Sequence, residues 1–157
     1  MQENCKNDKK FIKVKKIFIA GDHSSVEIKG ACKEFLETLG FEVVDLGTNS
    51  ETSVDYPDFA YKLAKEVKKD SEFYGVLICG TGIGISIAAN RDKDIICGLC
   101  HDENTAKLTR EHNNANVLAF GARVVSVEMA KKMCEAFFST EFEGGRHQRR
   151  VDKLKGV

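Results

Sequence analysis

The sequence predicts an α/β fold, a five-stranded parallel sheet with helices on both faces. Five short runs of apolar and β-branched residues recur along the 157-residue chain, and each is followed by residues whose apolar positions recur at helical spacing. The runs are apolar throughout, and such strands are stable only when helices cover both faces of the sheet. Because crossover connections are right-handed, the expected topology is Rossmann-like and doubly wound. The length is that of one domain.

Each predicted strand and helix has recognisable bounds. The five strands cover residues 16–20, 41–46, 75–79, 95–100 and 116–120. The helices that follow them cover residues 24–39, 57–67, 85–90, 102–112 and 126–137. Ser24 or Ser25 can cap the first helix, because a hydroxyl oxygen accepts from a free N–H of the first turn, and Gly40 can end it. Pro57 suits the first turn of the second helix, and Ser126 can cap the fifth.

Composition and charge exclude several classes of partner. The 24 basic residues balance 24 acidic ones, so no excess positive charge attracts nucleic acid. The polar, lysine-rich N-terminus has no signal-peptide core, and no apolar run approaches the ~20 residues that span a bilayer. We therefore expect a cytoplasmic location, no membrane partner, and six reduced cysteines. Residues 1–14 are interpreted as a mobile polar leader, and residues 15–157 as a single domain that includes a C-terminal basic helix or tail.

Reactive side chains follow the predicted strands at the points where these end. They are Asp22 and His23 after the first strand, Cys79 and Thr81 at the third, Cys100, His101 and Asp102 at the fourth, and Arg123 after the fifth. Ligands of open parallel sheets bind beyond the carboxyl ends of the strands, where these residues converge. The sequence therefore predicts a functional site at this edge of the sheet.

A glycine-rich turn follows the third strand. Gly80, Gly82 and Gly84 alternate, whereas a dinucleotide-binding fingerprint requires a glycine at the position of Ile85. The backbone N–H groups of such a turn can still hold a phosphate or a developing oxyanion. Cys79 directly precedes the turn, where the same positive potential favours a thiolate that acts as a base or nucleophile. The competing interpretation is a buried strand-end thiol without chemistry.

Three further features leave alternatives open. Cys97 and Cys100 form a Cys-x-x-Cys pair inside an apolar strand, which indicates core cysteines, although a thiol redox protein would also use such a pair. The His112-Asn113 pair ends a helix and can be a plain C-terminal cap. Arg146 and Arg150 stand one helical turn apart and can clamp a phosphate. A non-catalytic nucleotide-binding module would use the glycine turn and these arginines in the same way.

Six segments distributed over the chain form one specific pattern. They are Gly-Asp-His at 21–23, Asp-Tyr-Pro at 55–57, Ile-Cys-Gly-Thr-Gly-Ile-Gly-Ile-Ser-Ile-Ala-Ala-Asn at 78–90, Glu-His-Asn at 111–113, Asn-Val-Leu-Ala-Phe-Gly-Ala-Arg-Val at 116–124 and Gly-Gly-Arg-His at 144–147. This pattern resembles ribose-5-phosphate isomerase type B, in a family that includes galactose-6-phosphate and allose-6-phosphate isomerases. The resemblance extends from about residue 16 to residue 154.

The resemblance implies a reaction and roles for its residues. It implies aldose–ketose isomerisation of D-ribose 5-phosphate and D-ribulose 5-phosphate through a cis-enediolate, without a metal or organic cofactor. Cys79 matches the base that moves a proton between C2 and C1 in one branch of the family. The other branch uses a glutamate a few residues later, which residues 82–85 do not offer. The implied catalytic residues are Cys79, Thr81, His112 and Asp22. The implied substrate-binding residues are Asp22, His23, Tyr56, Gly80, Gly82, Ile83, Gly84, Ser86, Asn113, Arg123, Arg146 and Arg150.

The resemblance also implies an assembly. Family members are homodimers or homotetramers with shared active sites, so His112 and Arg123 are expected to come from the partner subunit. Within the shared site, Asp22, Thr81 and His112 would serve ring opening and hydroxyl binding. The phosphate would lie against His23, Arg123, Arg146 and Arg150. The loop composition does not decide between a pentose phosphate and a hexose 6-phosphate such as allose or galactose 6-phosphate.

Overall fold

The computed structural model describes residues 9–156 and contains a five-stranded parallel sheet. The strands are β1 (Lys16–Gly21), β2 (Val43–Asp45), β3 (Phe73–Cys79), β4 (Cys97–Leu99) and β5 (Val117–Gly121), in the spatial order β2-β1-β3-β5-β4. Every pairing is parallel. The chain passes from β1 to β2 on one side and then crosses to β3 on the other, so its switch point lies between β1 and β3. From β3 it goes to the edge strand β4 and returns to place β5 between β3 and β4. The predicted Rossmann-like, doubly wound sheet is confirmed.

Six α-helices cover the two faces of the sheet within the described residues. They are α1 (Val26–Thr38), α2 (Tyr56–Val67), α3 (Ile83–Ala89), α4 (Glu103–Asn113), α5 (Val127–Phe138) and α6 (Arg146–Lys155). Successive strand side chains point to opposite faces. Ile17 and Ile19 therefore pack with α1 and α5, whereas Phe18 and Ala20 pack with α2 and α3. None of the described helices is long and apolar enough to cross a membrane.

Several predicted bounds differ from the observed ones. The edge strands β2 and β4 keep only three residues each, because an edge strand has a hydrogen-bonding partner on one side only. Ser25 occupies the N-cap position of α1 as predicted, but its hydroxyl makes no capping bond. A 3-10 turn precedes α1, and the Asp22 carboxylate caps that turn by accepting from the Ser24 N–H at 3.0 Å. The cap at Ser126 is confirmed, since its hydroxyl accepts from the Met129 N–H at 3.1 Å.

The final part of the expected leader packs onto the domain. The Phe11 ring lies edge-on against Phe41, with 5.2 Å between ring centroids. Ile12 is buried, and its N–H donates to the Phe138 carbonyl at 2.9 Å. Residues 9–14 are therefore packed against the domain and are not part of a mobile leader, because burying these apolar side chains is favourable. Residues 1–8 lie outside the described part of the chain.

Candidate active site

The ends of β1, β3 and β5 bring the first group of predicted site residues together. Gly21 of β1 is in register with Ile78 of β3, and the Asp22 N–H donates to the Ile78 carbonyl at 3.2 Å. On the other side of β3, Cys79 is in register with Gly121 of β5. Asp22, His23, Cys79 and the residues after Gly121 therefore share the carboxyl edge at the switch point, where sheets of this class bind ligands.

The glycine turn is fixed by close backbone packing. A side chain at Gly121 would place its Cβ 2.6 Å from the backbone of Thr81. Gly82 has a φ of +79°, and its Cβ would lie 2.6 Å from the Phe120 carbonyl carbon. Only glycine fits at these two positions, since any Cβ would overlap the facing backbone. The turn is consequently held in one conformation against β5.

Cys79 lies at the base of this turn and interacts with it. The side chain is 4% exposed, and its Sγ accepts from the Gly82 N–H at 3.2 Å. The Thr81 hydroxyl oxygen accepts from the Ile83 N–H at 3.2 Å. This contact places the Cys79 sulfur beside the turn whose backbone N–H groups can hold a substrate oxygen.

Asp22 and His23 are oriented by their own hydrogen bonds. The Asp22 carboxylate, 7% exposed, accepts from both the Ser24 N–H and the Ser24 hydroxyl through Oδ1. The His23 Nδ1 accepts from the Val54 N–H at 3.2 Å. Because Nδ1 is the acceptor, the proton of the neutral imidazole is on Nε2. His23 can therefore donate to an anion from Nε2 without carrying a charge.

Arg123 lies on the glycine turn of its own chain. Its N–H donates to the Gly80 carbonyl at 3.0 Å, and a Cβ on Gly80 would be 3.2 Å from Nη1 of its guanidinium. The family resemblance implies that Arg123 reaches the site from a partner subunit, whereas in the structure Arg123 is next to the glycine turn of its own chain. The reason is the sheet order: β5 pairs directly with β3, so the residues after β5 return above the turn after β3.

Tyr56 and Ser86 have different surroundings. The Tyr56 ring packs on Gly84, where an added Cβ would lie 2.5 Å from the ring carbon Cζ. Tyr56 is therefore part of the wall next to the turn. The Ser86 hydroxyl donates to the Ile83 carbonyl at 2.7 Å inside α3, and the residue is 6% exposed. This bond directs the Ser86 hydroxyl to its own helix.

A second group of predicted site residues lies at the other end of the sheet. The helix α4 starts after β4 at the carboxyl edge, and its 11 residues rise about 16 Å in the opposite direction to the strands. His112 and Asn113 end this helix at the amino edge. The helix α6 packs there, since the His112 and His147 rings stack with 4.5 Å between centroids. The exposed Arg146 and Arg150 belong to α6.

The Cys-x-x-Cys pair is confirmed as part of the core. Cys97 and Cys100 are both buried. Burial raises the pKa of the Cys97 thiol far above its ordinary value, and burial raises the pKa of Cys100 to about 12. Both side chains are therefore thiols at neutral pH, which disfavours the thiolate that redox exchange requires.

A buried ion pair that the sequence analysis missed supports the site. Lys29 is 1% exposed, and its Nζ donates to the Asp45 carboxylate and, at 2.7 Å, to the Asn49 side-chain oxygen. Asp45 also accepts from the Gly47 N–H at 2.8 Å. These bonds hold the segment that leads from β2 towards Val54. The sequence does carry a signal for the burial of Lys29: it stands three residues before Cys32 and seven before Leu36, on the buried face of α1.

Similarity to known proteins extends over both groups of site residues, the one around Cys79 and the one around His112. The sequence profile of the Ribose/Galactose Isomerase family matches residues 17–154. The chain belongs to this family. The Escherichia coli protein named ribose-5-phosphate isomerase B is 43% identical over 144 residues, which are 92% of this chain and 97% of that protein.

Solved structures of the ribose/galactose isomerase family have the same fold. Ribose 5-phosphate isomerase B from Anaplasma phagocytophilum has a TM-score of 0.87 at 48% identity, covering 91% of this chain and 98% of that chain. The Mycoplasma genitalium ribose-5-phosphate isomerase B with bound ribulose-5-phosphate has a TM-score of 0.87 at 46% identity, covering 89% and 93%. The family resemblance predicted from the six sequence segments is confirmed.

Proposed function

We propose that this chain is a ribose-5-phosphate isomerase that interconverts D-ribose 5-phosphate and D-ribulose 5-phosphate. The observation that carries the proposal is Cys79, whose sulfur accepts from the Gly82 N–H beside Asp22 and His23 at the switch point of the sheet. Similar proteins support the substrate: one is named for this reaction, and another is described with ribulose-5-phosphate bound.

The Cys79 thiolate acts as the base of the isomerisation. It removes the proton from C2 of the open-chain aldose, so that the C1 carbonyl oxygen takes up the negative charge of a cis-enediolate. Backbone N–H groups of residues 80–84 stabilise this oxygen. The proton is then delivered to C1, the C2 hydroxyl gives up its proton as the carbonyl forms at C2, and the C1 oxygen takes up that proton to become a hydroxyl. Asp22, Thr81 and His112 open the sugar ring and bind its hydroxyls, and Asn113 helps to orient them.

Four cationic or donor side chains bind the phosphate. His23 follows β1 at the same edge of the sheet as the glycine turn, Arg123 lies on that turn, and Arg146 and Arg150 come from α6. Guanidinium groups bind phosphate through forked, charge-assisted hydrogen bonds. Since this binding is distant from the reacting carbons, it contributes to the affinity for substrate more than to the rate of proton transfer.

The active site is completed by a second copy of the chain. Cys79 and His112 lie at opposite ends of a single sheet, so one chain alone cannot bring both to one sugar. Ile83 and Ile87, one turn apart on α3 beside the glycine turn, are 52% and 51% exposed, and the exposed Leu99 side chain lies against Gly82 of that turn. A homodimer, alone or within a homotetramer, would bury this apolar surface. The cytoplasm is the proposed location, because a catalytic thiol requires a reducing compartment.

The test is cofactor-free turnover. The purified chain is incubated in chelator with ribose 5-phosphate, allose 6-phosphate or galactose 6-phosphate, and ketose formation is followed. We expect turnover of ribose 5-phosphate at the highest kcat/KM. Preference for a hexose 6-phosphate would assign the chain to another activity of the family. Activity that is lost in chelator and restored by a metal would contradict the cofactor-free mechanism.

A further inference from the structure

A cluster of metal-binding side chains lies outside the group around Cys79. It consists of His112 at the end of α4, Glu143 in the loop before α6 and His147 in the first turn of α6. One ligand atom from each of the three lies within 4.8 Å of the others. The Glu143 N–H donates to the Glu111 carbonyl at 3.2 Å, so the loop before α6 is fixed to the end of α4 next to His112.

The His147 side chain provides an independent indication of a ligand. It is 6% exposed, and its Nε2 has no hydrogen-bond partner among residues 9–156. This atom faces the cluster, since the Glu143 carboxylate is 3.4 Å away. A buried ring nitrogen without a partner is unfavourable, because folding has removed its hydrogen bond to water. A bound cation would satisfy it through the nitrogen lone pair.

We infer that His112, Glu143 and His147 form a binding site for a transition-metal cation such as Zn²⁺, and that a cation bound there inhibits the enzyme. Two imidazoles with one carboxylate are ligands that Zn²⁺ prefers, with a fourth position left for water, whereas Mg²⁺ and Ca²⁺ prefer oxygen ligands only. Ligand atoms of a tetrahedral zinc site are about 3.4 Å apart, so binding requires the stacked His112 and His147 rings to tilt until both lone pairs face the cation, and the Glu143 carboxylate to move towards them. The Glu143 side chain is 52% exposed and free to do so.

Inhibition follows from the use of His112. Metal binding takes the ring nitrogen lone pair that proton transfer needs, and it holds the imidazole in one orientation. The nearby Arg146 opposes a cation through its charge, whereas Glu143 offsets that charge. The inhibition rests on the proposed function, in which His112 acts on the sugar, whereas the binding of the cation does not.

The first test measures inhibition of ribose 5-phosphate isomerisation by Zn²⁺ in the full chain. The variant is Glu143→Gln, and the matched control is Glu141→Gln, an exposed carboxylate of the same segment. Neither residue belongs to the proposed catalytic machinery, so all three proteins should have the same zinc-free rate. Glu143→Gln should require more than about tenfold more zinc for half-inhibition, since even ligand-supporting residues have effects of this size. Equal sensitivity of all three proteins would overturn the inference.

The second test measures binding without activity, with Co²⁺ as an optical probe. The unmodified chain should give the visible absorption of tetrahedral cobalt, and Zn²⁺ should displace it. Glu143→Gln and His147→Gln should each weaken Co²⁺ binding by more than about tenfold, and Glu141→Gln should not. Unchanged binding in both cluster variants would place the metal elsewhere and contradict the inference. Cobalt binding by a chain that isomerises no sugar phosphate would refute the proposed function alone.

Discussion

The Val54 backbone N–H donates to the His23 Nδ1 at 3.2 Å and thereby fixes which nitrogen of His23 carries the proton. Val54 comes 31 residues after His23, so the bond depends on the path of the loop between β2 and α2. The Lys29–Asp45 ion pair, with an N–O distance of 2.6 Å, holds the start of that loop. The loop therefore orients His23, the donor that we propose for the substrate phosphate.

His23→Ala should raise the KM for ribose 5-phosphate by about tenfold or more, because a hydrogen bond to a charged group contributes about 1.5–3 kcal/mol. The kcat should change much less, since the contact is distant from the reacting carbons. His23→Gln should recover part of the affinity, because its amide N–H can replace the Nε2–H. His101→Ala, which removes an exposed histidine after β4, is the control and should leave KM unchanged. An unchanged KM in His23→Ala would exclude the phosphate contact.

Cys79→Ala should lower kcat by at least the ~10²–10⁴ that a positioned general base contributes. The variant should still bind ribose 5-phosphate, measured by calorimetry, while it fails to exchange the C2 hydrogen with solvent. Cys79→Ser should be nearly as inactive, because the pKa of a hydroxyl is too high for a base near neutral pH. If Cys79→Ala retained more than about a tenth of the kcat, Cys79 would be a packing residue and Asp22 or His112 the base to test.

Arg146→Ala and Arg150→Ala should each raise KM with little change in kcat, because uniform binding of substrate and transition state affects KM. The chain offers a matched control in Arg149, an exposed arginine on the same helix that stands between them. Arg149→Ala should have the kinetics of the unmodified protein. Equal effects of all three substitutions would show that general positive charge, rather than a phosphate contact, is measured.

Mixing the inactive Cys79→Ala and His112→Ala proteins should restore activity after subunit exchange. In a twofold-symmetric heterodimer one site receives both substitutions and the other receives none, so about a quarter of the unmodified activity is expected after random exchange. Heterodimer formation is checked by native mass spectrometry. Proven heterodimers without activity would show that Cys79 and His112 act within one chain.

Gly30→Ala and Gly82→Ala should change stability in opposite directions. Gly30 is an exposed residue inside α1, and a Cβ there has no atom within 4 Å among the described residues. Alanine should raise the free energy of unfolding by about 0.5–1 kcal/mol. Gly82→Ala must overlap the β5 backbone at a positive φ, so it should lower the unfolding temperature and the activity together. A stabilised Gly82→Ala protein would contradict the packing of the turn.

Local sequence patterns predicted the fold class and the centre of the site. The strand before Cys79 and the glycines after it are contiguous, so their geometry follows from short-range chemistry. The edge strand β2 was predicted as six residues and has three, because edge pairing depends on neighbours that are distant in sequence. The sequence pattern could not show that Asp22, and not a serine, makes the capping bond before α1. Several neighbouring polar side chains there are able to accept from a backbone N–H of the first turn.

The sequence by itself determined which residues are candidates for the chemistry, because side-chain type and local spacing are properties of the chain. Only the tertiary structure decided how they are grouped. The sheet order places Arg123 on its own glycine turn, and the direction of α4 carries His112 to the opposite edge. The packing of α6 on α4 brings Glu143 and His147 to His112. These groupings depend on contacts between residues far apart in sequence, which no local pattern encodes.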